Sequence, residues 1–316
     1  MQQGVAVQRT GISKTSRLSR ARRREAVAGV LWASPWLLGF FIFTLGPILA
    51  SLYLSFTEYT IASQPKWIGL ANFARALSGQ DTLFWPSLAR TFHYALIMVP
   101  LGIGGALLIA IALNQRLRAM PVLRTCYFLP SLTPAVAAAM IWTWLYQPEF
   151  GAINGLLATI GVEGPKWLAD PDTALTALII VGLWGSVGGG TMIIFLAGLQ
   201  SVPRELQEAA EIDGAGRWTR FRHVTVPMLS PTILFNLVVG IVGALQVFTI
   251  AIIATNGGPN YATWFFIVHL YQNGFQDFDM GYASALAWIF LVIVLALTLI
   301  NVTLSKRWVY YEGDNP

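Results

Sequence analysis

The chain has 316 residues, of which 55% are hydrophobic and only 11% charged, and its mean hydropathy is +0.60. Soluble domains carry about a quarter charged residues, so this composition places the chain in a membrane. A formal charge of +5 would suit a nucleic-acid partner, but its distribution along the chain argues against one. The single cysteine, Cys126, excludes an intrachain disulfide framework and a multi-cysteine metal site. Its apolar surroundings predict a buried, inert thiol.

Residues 1–26 form a polar N-terminal segment in which Arg17, Arg20, Arg22, Arg23 and Arg24 crowd before the first apolar run. It reads as the positive flank that keeps an N-terminus inside, in preference to an arm for anionic lipid or nucleic acid. The first apolar run, 27–56, is too long for the hydrophobic part of a signal peptide and reads as a retained anchor. A loop over 57–90 leads to a core of five further runs within 91–304, at about 91–113, 121–145, 174–199, 228–254 and 281–304. Each is long enough to cross the bilayer as a helix, which satisfies its own backbone hydrogen bonds in lipid. The expected fold is therefore an all-α membrane protein with six transmembrane helices and a short tail, 305–316.

Lysine and arginine set the orientation. Sixteen of the twenty fall in the N-terminal segment, the loops holding Arg116–Arg124 and Arg204–Arg222, and the tail with Lys306 and Arg307. Only Lys66, Arg75, Arg90 and Lys166 fall on the other side. Basic residues concentrate on the cytoplasmic side, so both termini and the loop 200–227 are expected there.

On the opposite side, Pro65-Lys66-Trp67 and Pro165-Lys166-Trp167 place tryptophans at headgroup level, as interfacial anchors or as docking points. The last outer loop, about 256–280, carries Phe265, Phe266, Tyr271 and Phe275 and predicts a short helix lying on the membrane or under a partner.

Catalytic chemistry is absent from the pattern. No glycine precedes Lys14, Lys66, Lys166 or Lys306, so there is no phosphate-binding Walker A loop. His93, His223 and His269 fall on different sides or depths and predict no metal site. Apart from Arg124 near one end, the six runs carry no Asp, Glu, Lys or Arg. Ion-coupled transporters often place ionisable groups at mid-membrane, so bare spans fit a passage driven by another subunit.

Two spans carry polar or small residues suited to a substrate path. The fourth contains Gly182, Gly185, Gly188, Gly189 and Gly190. Close helix packing is the simpler reading; the other is a cavity wall, with Trp184 to stack on a sugar ring and Ser186 and Thr191 to offer hydroxyls. In the fifth, Asn236, Gln246 and Thr249 interrupt the run. An amide in lipid needs a partner, so Gln246 is expected to face the interior, toward a neighbouring helix or a substrate hydroxyl. Asn301 reads as structural.

The most informative stretch is the polar island Glu208–Pro227, set between two apolar runs. Pro203 suits a first helical turn, and Glu205, Glu208 and Glu211 suit a helix N-terminus. Ala209 and Ala210 leave one face small, Gly214 and Gly216 supply a turn, and Pro227 marks the next run. The pattern predicts a rigid peg for a partner to grip.

Glu208-Ala209-Ala210, Gly214 and the closing Val224-Thr225-Val226-Pro227 resemble the EAA loop of binding-protein-dependent ABC importer permeases, with Val where Ile and Leu are usual. Thr255-Asn256-Gly257-Gly258-Pro259 resembles the TNGGP signature of the larger permease in carbohydrate-uptake systems of the maltose and glycerol-phosphate type. Gly69-Leu70-Ala71-Asn72-Phe73 and Phe150-Gly151-Ala152-Ile153-Asn154 resemble outer loops of that subfamily.

The resemblance implies a type I, MetI-like permease core over 91–304 in a bacterial cytoplasmic (inner) membrane. It implies a second homologous permease, two ATP-binding subunits, an extracytoplasmic solute-binding protein and a sugar substrate as partners, in contact with membrane lipids. ATP and Mg would be used by the partner ATPase, with no cofactor, metal or catalytic residue on this chain. Glu208, Ala209, Ala210, Gly214 and Pro227 would couple to the ATPase. Trp184, Ser186, Thr191, Gln246 and Thr249 would flank the substrate path. The signature loop would be Asn256, Gly257, Gly258 and Pro259. A phosphorylated polyol such as glycerol 3-phosphate is the alternative cargo, and an ion-coupled secondary transporter the alternative class.

Overall fold

The computed structural model describes residues 20–115 and 117–310, with side chains from residue 23. Most of the basic segment 1–26, Arg116 and the end of the tail lie outside the described residues. The chain divides into two compact units at Tyr53/Leu54.

The first unit holds α1 (Arg20–Phe40), a π turn (Phe41–Leu45) and most of α2 (Gly46–Ser55). In the π turn Gly46 N–H reaches back to the Phe41 carbonyl, widening the ladder next to Pro47, which has no N–H to donate. Its apolar side chains, among them Trp32 and Phe43, are exposed, as suits a helix solvated by lipid.

In the second unit, a two-residue antiparallel pair, β1 (Thr57–Glu58) with β2 (Lys66–Trp67), precedes α3 (Ala71–Leu77) and α4 (Phe84–Leu113). Then come α5 (Met120–Leu132), α6 (Ala135–Leu145), α7 (Ala152–Thr159), α8 (Pro171–Val187), α9 (Gly190–Ser201), α10 (Arg204–Ile212) and α11 (Arg217–Arg220). A π turn (Phe221–Thr225) joins α11 to α12 (Val226–Leu245); α13 (Thr249–Thr255), α14 (Phe266–Tyr271) and α15 (Met280–Ser305) complete the order. The helix α4 is central, packing against α8, α9, α12 and α14. The main core joins Tyr94 and Val99 of α4 to Leu178, Leu245, Phe265, Phe266 and Leu286.

Among the described residues, four helices are long and apolar enough to cross a membrane, and two bent pairs raise the number to six if each pair is one span. The runs 121–145 and 174–199, expected as single helices, are both broken: α5 and α6 meet at 95°, α8 and α9 at 42°. The first break follows from Pro134, which forces Thr133 into extended backbone (φ −72°, ψ 125°). The second falls at Gly188–Gly189, where Gly189 adopts φ −81°, ψ −146°. A Cβ on Gly188 would collide with the Tyr127 carbonyl, so glycine also permits the close approach of α5. The fifth span is interrupted too, between Leu245 and Thr249.

Three further expectations are corrected. Cys126 is exposed, because α5 turns an apolar face outward with Val122, Tyr127 and Leu129. Phe265 and Phe266 are fully buried: Phe265 packs edge-on to Tyr94 and Phe266 stacks on Phe290 at 4.9 Å. The loop 256–280 therefore plugs into the core, leaving Phe275 exposed. Trp167 is a packing residue rather than a free anchor, with its Nε1 donating to Asn154 Oδ1 at 2.6 Å and its ring 4.9 Å from that of Tyr146. Trp67 is exposed and stacks on Phe56.

That end of the second unit is held by a buried polar cluster. Asp81 Oδ2 accepts from the Tyr282 hydroxyl at 2.5 Å and lies 2.6 Å from His269 Nε2. Trp264 Nε1 donates to His269 Nδ1 at 3.3 Å, which leaves Nε2–H to donate to Asp81. Arg75 pairs with Asp279 at 2.7 Å and lies over the Tyr282 ring at 3.9 Å. Burial by itself would raise the Asp81 carboxyl, but the Tyr282 hydroxyl, the His269 ring and the Leu83 N–H together hold it below its ordinary value.

A carboxyl depressed in the folded state adds stability that is full above its unfolded value, about 3.9, and lost as pH falls through the lower folded one. Asp81→Asn should therefore melt below wild type at pH 7, by about 1–3 kcal/mol. The gap should close below roughly pH 4, as read by tryptophan fluorescence during heating in detergent.

Candidate functional site: a mid-span cavity and a projecting peg

Half-way along the spans, α4, α8, α9 and α12 line an open cavity of about 400 Å³, within the range of small-molecule sites. Its polar lining comes from Tyr94, Ser186, Thr191 and Asn236, with no Asp, Glu, Lys or Arg among its lining residues. Gly185 and Gly243 leave open space, with nothing within 4 Å of an added Cβ, whereas Gly182 and Gly102 admit close neighbours. A Cβ on Gly182 would meet the Tyr94 hydroxyl at 2.5 Å, and one on Gly102 would meet Ser186 Oγ at 3.2 Å. Ser186 Oγ makes only a long contact, 3.4 Å, to the Leu183 carbonyl, so its hydroxyl is weakly committed. Such a lining offers hydroxyl and amide hydrogen bonds without charge.

The cavity gathers two of the five expected path residues, Ser186 and Thr191. Trp184 points elsewhere, edge-on to Trp142 at 5.8 Å. Thr249 opens α13 and does not line the space. Gln246, expected to face the interior, is exposed on this chain, because α12 ends there and it sits at the helix C-cap. The contribution of α4 went unread in the sequence. Gly102, Gly104 and Gly105 just beyond Pro100 were the available signal.

At one end of the spans the chain folds as a helix–turn–helix. Pro203 is the N-cap of α10 (ψ 134°) rather than part of its first turn. The turn requires glycine: Gly214 has φ +81°, a left-handed conformation open to glycine at little cost. Its N–H bonds the Glu211 carbonyl at 3.0 Å, and Ala215 N–H bonds that of Ala210 at 2.9 Å, which caps α10. Glu211 and Arg220 tie α10 to α11 at 2.6 Å, and Gln207 Nε2 donates to Thr225 Oγ1 at 3.0 Å.

Glu208 and Ala209 are exposed, whereas Ala210 and Pro227 are half-buried. Two large apolar side chains accompany them, Ile212 at 87% and Trp218 at 70% exposure. Both stand among charged neighbours on the exposed helix–turn–helix. Sequence reasoning singled out neither.

At the other end, Thr255–Pro259 ends α13 and turns the chain back. Asn256 (φ +49°) and Gly257 (φ +79°) are both left-handed, and a Cβ on Gly257 would strike the Trp264 ring. Thr255 and Thr263 hydroxyls meet at 2.6 Å, and Thr263 Oγ1 donates to the Gly258 carbonyl at 2.7 Å. The motif is thus a structural turn that leads the chain toward the buried Phe265 and Phe266.

These features define a polytopic α-helical membrane protein, with an uncharged, mainly apolar cavity within its spans that presents a few hydroxyl and amide groups, and an exposed helix–turn–helix at one end. A family model for the "binding-protein-dependent transport system inner membrane component" matches residues 98–310, and the chain belongs to that family, the permeases of ABC transporters.

Among its relatives is the probable ABC transporter permease protein YesP of Bacillus subtilis (strain 168), 43% identical over 93% of this chain and 96% of that one. The trehalose/maltose transport system permease protein MalF of Thermococcus litoralis is 32% identical over 91% and 97%. The fold matches a chain of a bacterial alginate ABC transporter, crystallised with its alginate pentasaccharide-bound periplasmic protein. The TM-score is 0.81 at 24% identity, covering 92% of this chain and 98% of that one.

Gly214→Ala should cost about 1 kcal/mol, from backbone strain alone, because nothing lies within 4 Å of the added Cβ. Gly257→Ala combines strain with the Trp264 clash and should destabilise more. Hydrogen exchange should show faster exchange confined to 204–220 in the first variant and spread over 250–275 in the second.

Proposed function

We propose that the chain is a permease subunit of an ATP-driven importer that moves an uncharged sugar or polyol by alternating access. The observation that carries this reading is the mid-span cavity, where hydroxyls and an amide line the space without a charged group. Polyhydroxyl ligands are bound by such groups, whereas a phosphorylated polyol would call for a cation, and no Lys or Arg lines the cavity. The trehalose/maltose designation of one relative supports a saccharide cargo.

In this reading the basic end of the spans is cytoplasmic, which puts both termini and the helix–turn–helix in the cytosol. Two ATP-binding subunits grip the projections of this chain and of a second, similar permease. Ile212 and Trp218 would fill an apolar groove on the ATPase, and Glu208 would meet a basic residue at its rim. An extracytoplasmic binding protein delivers the sugar at the 256–280 end. ATP and Mg act in the partner, and this chain contributes no catalytic group.

Reversing a two-state preference from 1:99 to 99:1 requires a differential of about 5.5 kcal/mol, which ATP-driven closure on the peg would supply. Within this chain the peg continues through α11 and the π turn into α12, whose Asn236, Gly240 and Gly243 line the cavity. Movement of the peg therefore reaches the cavity wall along one helix.

The test is affinity purification from the native membrane with identification of the accompanying subunits. Wild type should bring down an ATPase and a second permease. Glu208→Lys or Gly214→Pro should lower ATPase recovery at least tenfold and abolish uptake. A chain recovered alone, or an ATPase retained by both variants, would contradict the coupling role.

A further inference from the structure

A second cavity, of about 770 Å³, lies where the end of α4, the start of α5, the end of α9 and the start of α10 converge. Its lining differs from that of the mid-span cavity. Arg124 and Arg204 bring two cations, Asn114, Gln115, Gln200 and Gln207 bring amides, and no Asp or Glu lines it. Arg124 is the one charged residue in the apolar run 121–145, close to its start.

Its Nη2 donates to the Leu113 carbonyl at 2.9 Å, one of the carbonyls at the end of α4 that have no helical donor. This bond fixes the guanidinium at the cavity wall, and its Nε is buried without a hydrogen-bond partner. Among the described residues, no carboxylate lies within ion-pair distance of Arg124 or Arg204.

We propose that this cavity binds a phosphate-bearing anion, with Arg124 and Arg204 pairing with its oxygens and the surrounding amides completing its hydrogen bonds. The planar guanidinium matches phosphate oxygens two at a time. Basic pockets between spans at the cytoplasmic side hold anionic lipid headgroups, and a free phosphate group presents the same oxygens. Arg204 and Gln207 belong to α10, so an anion held between them and Arg124 ties the foot of the peg to α4 and α5. The site is separate from the sugar path and does not depend on the cargo; only its cytoplasmic placement rests on the orientation proposed above.

The test is native mass spectrometry of the full chain, purified in mild detergent with whatever subunits accompany it. The probes are phosphatidylglycerol, phosphatidylcholine and inorganic phosphate. Wild type should retain phosphatidylglycerol in preference to phosphatidylcholine, and Arg204→Gln should lower that retention roughly tenfold, the loss of one charge-assisted contact. Arg204→Gln leaves the Arg124–Leu113 bond in place, so it reads binding rather than folding. Arg124→Gln should show the same loss, with thermal melting reporting whether it folds. Retention of inorganic phosphate alone, with the same sensitivity to Arg204→Gln, would support the proposal with a free anion as the source. Equal retention of the two lipids, retention unchanged in Arg204→Gln, or binding of none of the probes would overturn it.

Discussion

In hydrocarbon a backbone amide has only its own chain or a buried polar neighbour to bond with, and the rest of this structure depends on that constraint. It makes every crossing helical, and it confines irregular backbone to places that are packed by protein or open to a cavity. The interruptions at Gly188–Gly189 and at Gln246–Phe248 both border the mid-span cavity, through Ser186 and Thr191 on one side and Gly243 and Val247 on the other. Broken helices at mid-membrane are where transporters place their ligands. Within the glycine-rich span, Gly185 leaves open space at the cavity and Gly182 admits the Tyr94 hydroxyl, while Gly188, at the break, admits the Tyr127 carbonyl. The two readings of the glycine-rich span, tight packing and a cavity wall, are therefore both realised, at different residues.

The two ends of the second unit serve different needs. At the 256–280 end, buried aromatics and the Asp81–His269–Tyr282 cluster bind the loops to α4 and α15. At the other end, α10 and α11 carry the exposed Ile212 and Trp218 and are held to each other by the Gly214 turn and the Glu211–Arg220 pair. Between them runs a near-continuous helix from Arg217 through α12. From Arg217 to Asn236 it spans roughly 28 Å, so a tilt imposed at the projection displaces the cavity wall. Stiffness in that helix is the physical basis for coupling the proposed ATPase contact to the proposed sugar path.

Much of this was legible in the sequence because hydropathy reports lipid exposure directly: α15 runs close to its expected limits, and α4 ends at Leu113 as expected but begins at Phe84, inside the stretch read as a loop. The polar island read correctly as helix, glycine turn and helix, since Gly214 has a left-handed conformation to fill. The breaks were missed where an apolar run conceals a backbone change, at Thr133-Pro134 and at Gly188–Gly189. Gln246 was misplaced because a polar residue in an apolar run was assumed to lie within an intact helix. Phe265 and Phe266 were read as surface residues because periodicity over so short a helix does not say which face is covered. The Asp81–His269 pairing joins residues far apart in the chain, and nothing local announces it. Ile212 and Trp218 escaped notice because a single apolar residue among charges reads as noise until its exposure is known.

The central claim is that the mid-span cavity opens alternately to the two sides of the membrane as the projection is pushed. The most direct measurement is the accessibility of a single cysteine, Ser186→Cys in a Cys126→Ser background, to a membrane-impermeant thiol reagent. It would be made in vesicles carrying the chain with its co-expressed partners. The reagent should label from the cytoplasmic side in the absence of nucleotide, and from the opposite side when the ATPases are held closed by ATP. Labelling that stays on one side whatever the nucleotide, or that proceeds equally from both, would contradict it.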